Sequence, residues 1–131
     1  MRDLRFICVQ PDDTYYTWQV HTWLESLRKI NKSDRAIVLI FTPQGRQQNQ
    51  KWREIEALYP EAEFGYFHDE DGIGKLFKHY IPVLRPYTLM KYFKTKPHLV
   101  NSAIFYCDCD IVFTDKFNID NYIDDDVCYL S

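Results

Sequence analysis

Glycine is scarce in this chain, four residues in 131, and no glycine-rich loop able to cradle a phosphate is present. The nearest approach, Gly72-x-Gly74-Lys75, lacks the spacing of a nucleotide-binding P-loop. Basic clusters are missing too. The formal net charge is −3 and Lys and Arg are scattered. That pattern excludes the electrostatic footprint of a nucleic-acid binder and the basic amphipathic helix of a membrane-surface protein. No apolar run approaches the roughly 20 residues that span a bilayer. Residues 1–13 (MRDLRFICVQPDD) lack the long apolar stretch of a secretion signal. The four histidines are dispersed, so no Ser/His/Asp or Cys/His nucleophile arrangement stands out. Internal repeats and low-complexity stretches are absent. These absences predict a cytoplasmic protein with no nucleic-acid and no membrane partner. An anionic substrate would have to be neutralised locally, by a metal ion or by a few placed basic residues.

Cysteine is present but unpaired in pattern. Cys8, Cys107, Cys109 and Cys128 all sit in strand-like apolar surroundings. Along a strand, Cys107 and Cys109 would have Cα atoms about 7 Å apart, at the edge of disulfide reach. A lone C-x-C with no second paired half and no nearby His makes a weak zinc site. Buried free thiols are the expectation, and with them a reducing compartment. The remaining composition is that of an ordinary globular chain, 46% hydrophobic and 27% charged, with aromatics high at 17%. At this length one domain, 1–131, can bury a real core without staples.

Periodicity gives the order of elements. Residues 4–10 are an apolar run stopped by Pro11-Asp12-Asp13, a strand and then a turn. Asp13 or Thr14 can cap the helix that follows. Its apolar stripe is Tyr16, Val20, Trp23, Leu24, Leu27 and Ile30, with Gln19, Glu25 and Lys29 off it, and Trp18 and Trp23 are expected to pack it on the sheet. The helix breaks at residues 31–34. Residues 36–41 (AIVLIF) form the kind of continuous run that belongs to a strand buried on both faces. The cycle repeats with a loop at Pro43-Gln44-Gly45, a helix over residues 48–59 carrying Trp52, Ile55, Leu58 and Tyr59, and a strand over residues 62–67. A polar turn, His68-Asp69-Glu70-Asp71-Gly72, leads to a helical region with Leu76, Phe77 and Tyr80. Pro86 is expected to start a further helix over residues 87–96, with Leu89, Met90 and Phe93 inward. A fourth strand covers residues 104–107. This alternation predicts an α/β fold, a three-layer α/β/α sandwich on a mainly parallel sheet with right-handed crossovers.

The chemistry gathers in residues 103–113, AIFYCDCDIVF. Side chains alternate along a strand, so Asp108 and Asp110 face one side while Cys107, Cys109 and Ile111 face the other. Two carboxylates at the end of a buried run are costly without a cation between them. A hard divalent ion, Mg²⁺ or Mn²⁺, prefers such oxygen ligands and keeps open positions for substrate phosphates. In parallel sheets, ligands bind outside the carboxyl ends of the strands. Asp108 and Asp110 follow strand four while Gln10, Pro11 and Asp12 follow strand one, so both groups are expected at one edge.

Together, Val9-Gln10-Pro11, the segment RPYTLMKYFK (85–94) and FYCDCDIVF (105–113) make the chain resemble a nucleotide-sugar glycosyltransferase of the GT-A fold. The basic-Pro-aromatic helix start, followed by a strand and Asp-x-Asp, is similar to that of the plant hydroxyproline arabinosyltransferase and serine galactosyltransferase group. The resemblance covers nearly the whole chain in element order, and specific residues in the last third. It implies that the Asp-x-Asp holds Mn²⁺ or Mg²⁺, which in turn holds the diphosphate of a donor, with a UDP-sugar favoured. Asp108 would contact the ribose or the metal, and Asp110 the metal. Gln10, Pro11 and Asp12 would border the nucleobase. Arg85, Tyr87 and Lys91 would complete the nucleotide-sugar site. A surface ion pair competes as the role of Arg85, and a solvated helix face as that of Lys91 and Lys94. Enzymes of this kind are usually longer, their second half supplying the acceptor pocket and any base. Residues 126–131 read like a strand just beginning, so the chain is expected to be a piece of a larger enzyme or a small form keeping the donor half. The acceptor, a protein or a glycan, is not specified by these residues.

Two other readings stay open. A haloacid-dehalogenase-like phosphatase also places Asp-x-Asp after an apolar strand, but there the motif normally opens the domain. A non-catalytic α/β domain would keep the acidic pair for a structural ion or for none. The acidic turn at residues 68–71 is a second potential metal site, with an exposed helix-leading turn as its plainer role.

Overall fold

A computed structural model describes residues 3–78 and 80–114. The expected strand at 126–131 and Cys128 lie outside the described residues. Four parallel strands form one sheet: β1 (Leu4–Pro11), β2 (Ala36–Thr42), β3 (Glu63–His68) and β4 (Ala103–Tyr106), in the order β3-β2-β1-β4. The central strands β1 and β2 are buried nearly throughout because both faces of the sheet are covered. On one face, Phe6, Cys8, Val38 and Ile40 meet α1 (Thr14–Lys29) and α2 (Lys51–Leu58) through Val20, Trp23, Leu24, Leu27, Trp52 and Ile55. On the other, Ile7, Val9, Ile37 and Leu39 meet α4 (Ile81–Thr95) through Tyr92, with Leu89 and Phe93 beside it. The architecture is thus an α/β sandwich with an all-parallel sheet among the described strands. Truncating a fully buried anchor such as Trp23 costs roughly 3–5 kcal/mol.

Local signals explain the ends of α1. Asp13 caps it, its carboxylate accepting from the Tyr15 N–H at 3.0 Å. Asn31 closes it at a φ of 59°. The Asn31 N–H donates to the Arg28 carbonyl and the Lys32 N–H to the Leu27 carbonyl, the paired bonds of a Schellman stop.

Several expected core positions are exposed. Trp18 lies off the Val20–Trp23–Leu27 stripe and is 58% exposed, as helical phase requires. Leu58 ends the short α2 in solvent. Leu76, Phe77 and Tyr80 are exposed, because the helix expected there is one turn only, α3 (Ile73–Leu76), capped by the Asp69 carboxylate at the Ile73 and Gly74 N–H groups. α4 starts at Ile81, ahead of Pro86, since Pro82 fills the first-turn position. Pro86 is therefore inside the helix and removes the bond to the Pro82 carbonyl. The inward stripe becomes Leu84, Thr88 and Tyr92, which rotates Met90 into solvent.

The strand order sets the site. From β1 the chain steps outward to β2 and β3, then returns through α4 to place β4 on the far side of β1. The direction of winding reverses between β1 and β4. Their carboxyl ends open the crevice in which such sheets bind ligands.

Candidate functional site at the exits of β1 and β4

Arg85 spans this crevice. From the second turn of α4 it donates through Nε to the Val9 carbonyl at 3.3 Å and through Nη2 to Gln10 Oε1 at 3.4 Å. The same Nη2 lies 3.9 Å from Asp108 Oδ1. Three residues singled out from sequence, Gln10, Arg85 and Asp108, therefore converge from β1, α4 and the segment after β4.

The acidic pair does not sit on a strand. Ladder pairing ends with the Cys107 N–H donating to the Ile7 carbonyl at 3.0 Å, and Asp-x-Asp follows in a turn. Alternation still holds across the motif, with Cys107 and Cys109 buried and Asp108 and Asp110 exposed. It fails at Ile111, which is 40% exposed rather than inward. The motif is laid on α1. The Cys109 thiol contacts Gln19 Oε1 at 3.4 Å, and the Phe113 N–H donates to Ser26 Oγ at 3.1 Å. Burial pushes the Cys107 and Cys109 thiols up to about 12, as protonated buried thiols packed against α1.

Among the described residues no group of three or more His, Cys, Asp or Glu side chains could enclose a metal. A magnesium-like ion needs no such cage: it is commonly held by one or two carboxylates, waters and substrate phosphates. Asp108 and Asp110, both exposed, fit that donor set.

Comparison with known proteins matches this chain to no family, no curated protein and no solved structure.

The other candidate residues separate from this cluster. Asp12 is 1% exposed and its carboxylate is fully engaged. It accepts from Thr42 Oγ1 at 2.9 Å, Trp52 Nε1 at 2.8 Å and the Asn49 N–H at 3.1 Å. Its place is that of a knot tying the β2–α2 loop to the end of β1, with Pro11 beside it. Tyr87 and Lys91 belong to a second cluster at the exit of β3. The Tyr87 hydroxyl donates to Asp71, and Lys91 Nζ lies 3.1 Å from Glu70 and 3.6 Å from Asp71. The acidic turn of residues 69–71 thus serves as a helix cap and as a partner for α4. Sequence reasoning missed Tyr106, the last residue of β4. Its phenol is pushed up to about 12, by burial first, with Arg85 opposing and Asp108 reinforcing. An aromatic two residues before Asp108, on the same side of the strand, was the available signal.

Proposed function

We propose that this chain is the nucleotide-sugar-binding domain of a metal-dependent glycosyltransferase of the GT-A type, acting in the cytoplasm on a protein or glycan acceptor. The observation that carries the reading is the convergence of Arg85, Gln10 and Asp108 at the carboxyl ends of β1 and β4, where the sheet reverses its winding. A guanidinium beside one accessible carboxylate, with a second exposed carboxylate two residues on, is the chemistry that accepts a diphosphate together with a hard cation. Asp108 and Asp110 would hold Mn²⁺ or Mg²⁺, which when bound supplies Lewis-acid stabilisation of the departing nucleoside diphosphate. Arg85 faces the same developing charge with donors already oriented by Val9 and Gln10, so little reorganisation is needed as the sugar–phosphate bond breaks. Gln10, itself 1% exposed, acts from behind by holding Arg85 through its Oε1 rather than by touching the nucleotide.

Calorimetric titration of UDP, GDP and UDP-sugars in Mn²⁺, beside Asp110→Ala, tests this. The expected result is nucleotide binding that needs Mn²⁺, is abolished by EDTA and is lost in the variant. No binding to any nucleotide by folded protein would overturn the reading. Hydrolysis of an aryl phosphate that depends on Asp108 would replace it with the phosphatase.

A further inference from the structure

Building on that nucleotide reading, we infer that Arg85 is a tethered counter-ion for Asp108, which makes uptake of the divalent ion conditional on the diphosphate. Two neutral oxygens, the Val9 carbonyl and Gln10 Oε1, hold the guanidinium across the end of β1. At 3.9 Å the Arg85–Asp108 pair is too long for a hydrogen bond, so charge alone joins them. The Arg85 side chain is 24% exposed, against 58% for Asp108, which leaves the cation partly shielded from solvent screening.

This placement has opposite consequences for two ligands. A bare divalent cation approaching Asp108 meets a fixed positive charge and must compete with it. A diphosphate supplies the anionic partner that Arg85 prefers, in a geometry that a guanidinium grips with two parallel bonds. Asp108 is then released to the metal. Metal and diphosphate therefore assist each other through one side chain, and reciprocity requires that each raise the affinity of the other by the same factor.

The test is Mn²⁺ uptake followed by electron paramagnetic resonance, with and without UDP, in the wild type, Arg85→Gln and Arg85→Lys. Circular dichroism verifies that each is folded. Arg85→Gln is expected to bind Mn²⁺ alone roughly three- to tenfold more tightly, through loss of charge repulsion. It should bind Mn²⁺ with UDP roughly tenfold or more weakly, through loss of charge-assisted bonds. Arg85→Lys should lie between on both. Effects of the same sign, or equal Mn²⁺ uptake without UDP in wild type and Arg85→Gln, including none in either, would overturn the counter-ion role while leaving the nucleotide reading intact. A wild type that takes up no Mn²⁺ with UDP would instead bring down the nucleotide reading itself and this inference with it.

Discussion

Two aspartates stand at neighbouring strand exits, Asp12 after β1 and Asp108 after β4, and they live in opposite circumstances. Asp12 is sealed from solvent and receives bonds from Thr42, Asn49 and Trp52. Asp108 projects from a turn with a side chain 58% exposed and, among the described residues, only a long ion pair to Arg85. A buried carboxylate must use its lone pairs internally or be too costly to keep. A carboxylate meant for a ligand must leave them open. Strand topology brings both to the carboxyl edge of the sheet, yet only Asp108 is open to solvent.

The contrast can be broken most forcefully at Asp12. Asp12→Ala leaves an indole N–H, a backbone N–H and a hydroxyl without their acceptor and should cost about 3 kcal/mol in urea denaturation. Trp52→Phe, which keeps the ring but removes one donor, should cost about 1–2 kcal/mol by the same measurement. Glu61 adds a third kind of carboxylate, near the surface but well bonded. Arg28 grips it through Nε at 2.9 Å and Nη2 at 2.8 Å, and Ser33 adds a hydroxyl at 2.6 Å. The Arg28 guanidinium first, and Ser33 after it, hold its carboxyl down at about 2 instead of the usual 4.5. Its folded-state value is depressed, so the stabilisation is present above pH 4.5 and is lost as pH falls from there through about 2. Glu61→Gln should remove about 1 kcal/mol at neutral pH, the surface pair being screened, and should flatten this part of the acid limb in pH-dependent denaturation. Asp108→Asn should change stability least, by under about 0.5 kcal/mol, while removing metal-dependent nucleotide binding in calorimetry. A loss of stability there matching that of Asp12→Ala would erase the distinction.

Much of this architecture was legible in the sequence. The run AIVLIF announced a strand covered on both sides, and β2 is such a strand. A parallel sheet could be read because strands alternate with helices, whereas the order β3-β2-β1-β4 could not. Arg85 was expected at a helix start; the helix begins earlier, at Ile81, and its contact with the Val9 carbonyl at the β1 exit had no signal in the sequence. Asp12 was harder. A Pro-Asp turn and an acidic ligand look alike in one dimension, and the partners that bury this carboxylate come from Thr42, Asn49 and Trp52, far along the chain. Trp18 and Met90 misled for another reason. Their size suggested core, whereas their angular position on α1 and α4 put them in solvent.

Cys107 and Cys109 flank Asp108, buried and with thiols held up at about 12. An alkylating reagent finds neither a thiolate nor a path to one until the turn lifts off α1. The rate at which these two thiols are labelled is therefore a stopwatch for the opening of the acidic turn, written into the chain by its own alternation. On the proposed reading, a ligand held by Asp108 should slow the labelling by the factor with which it prefers the turn packed on α1.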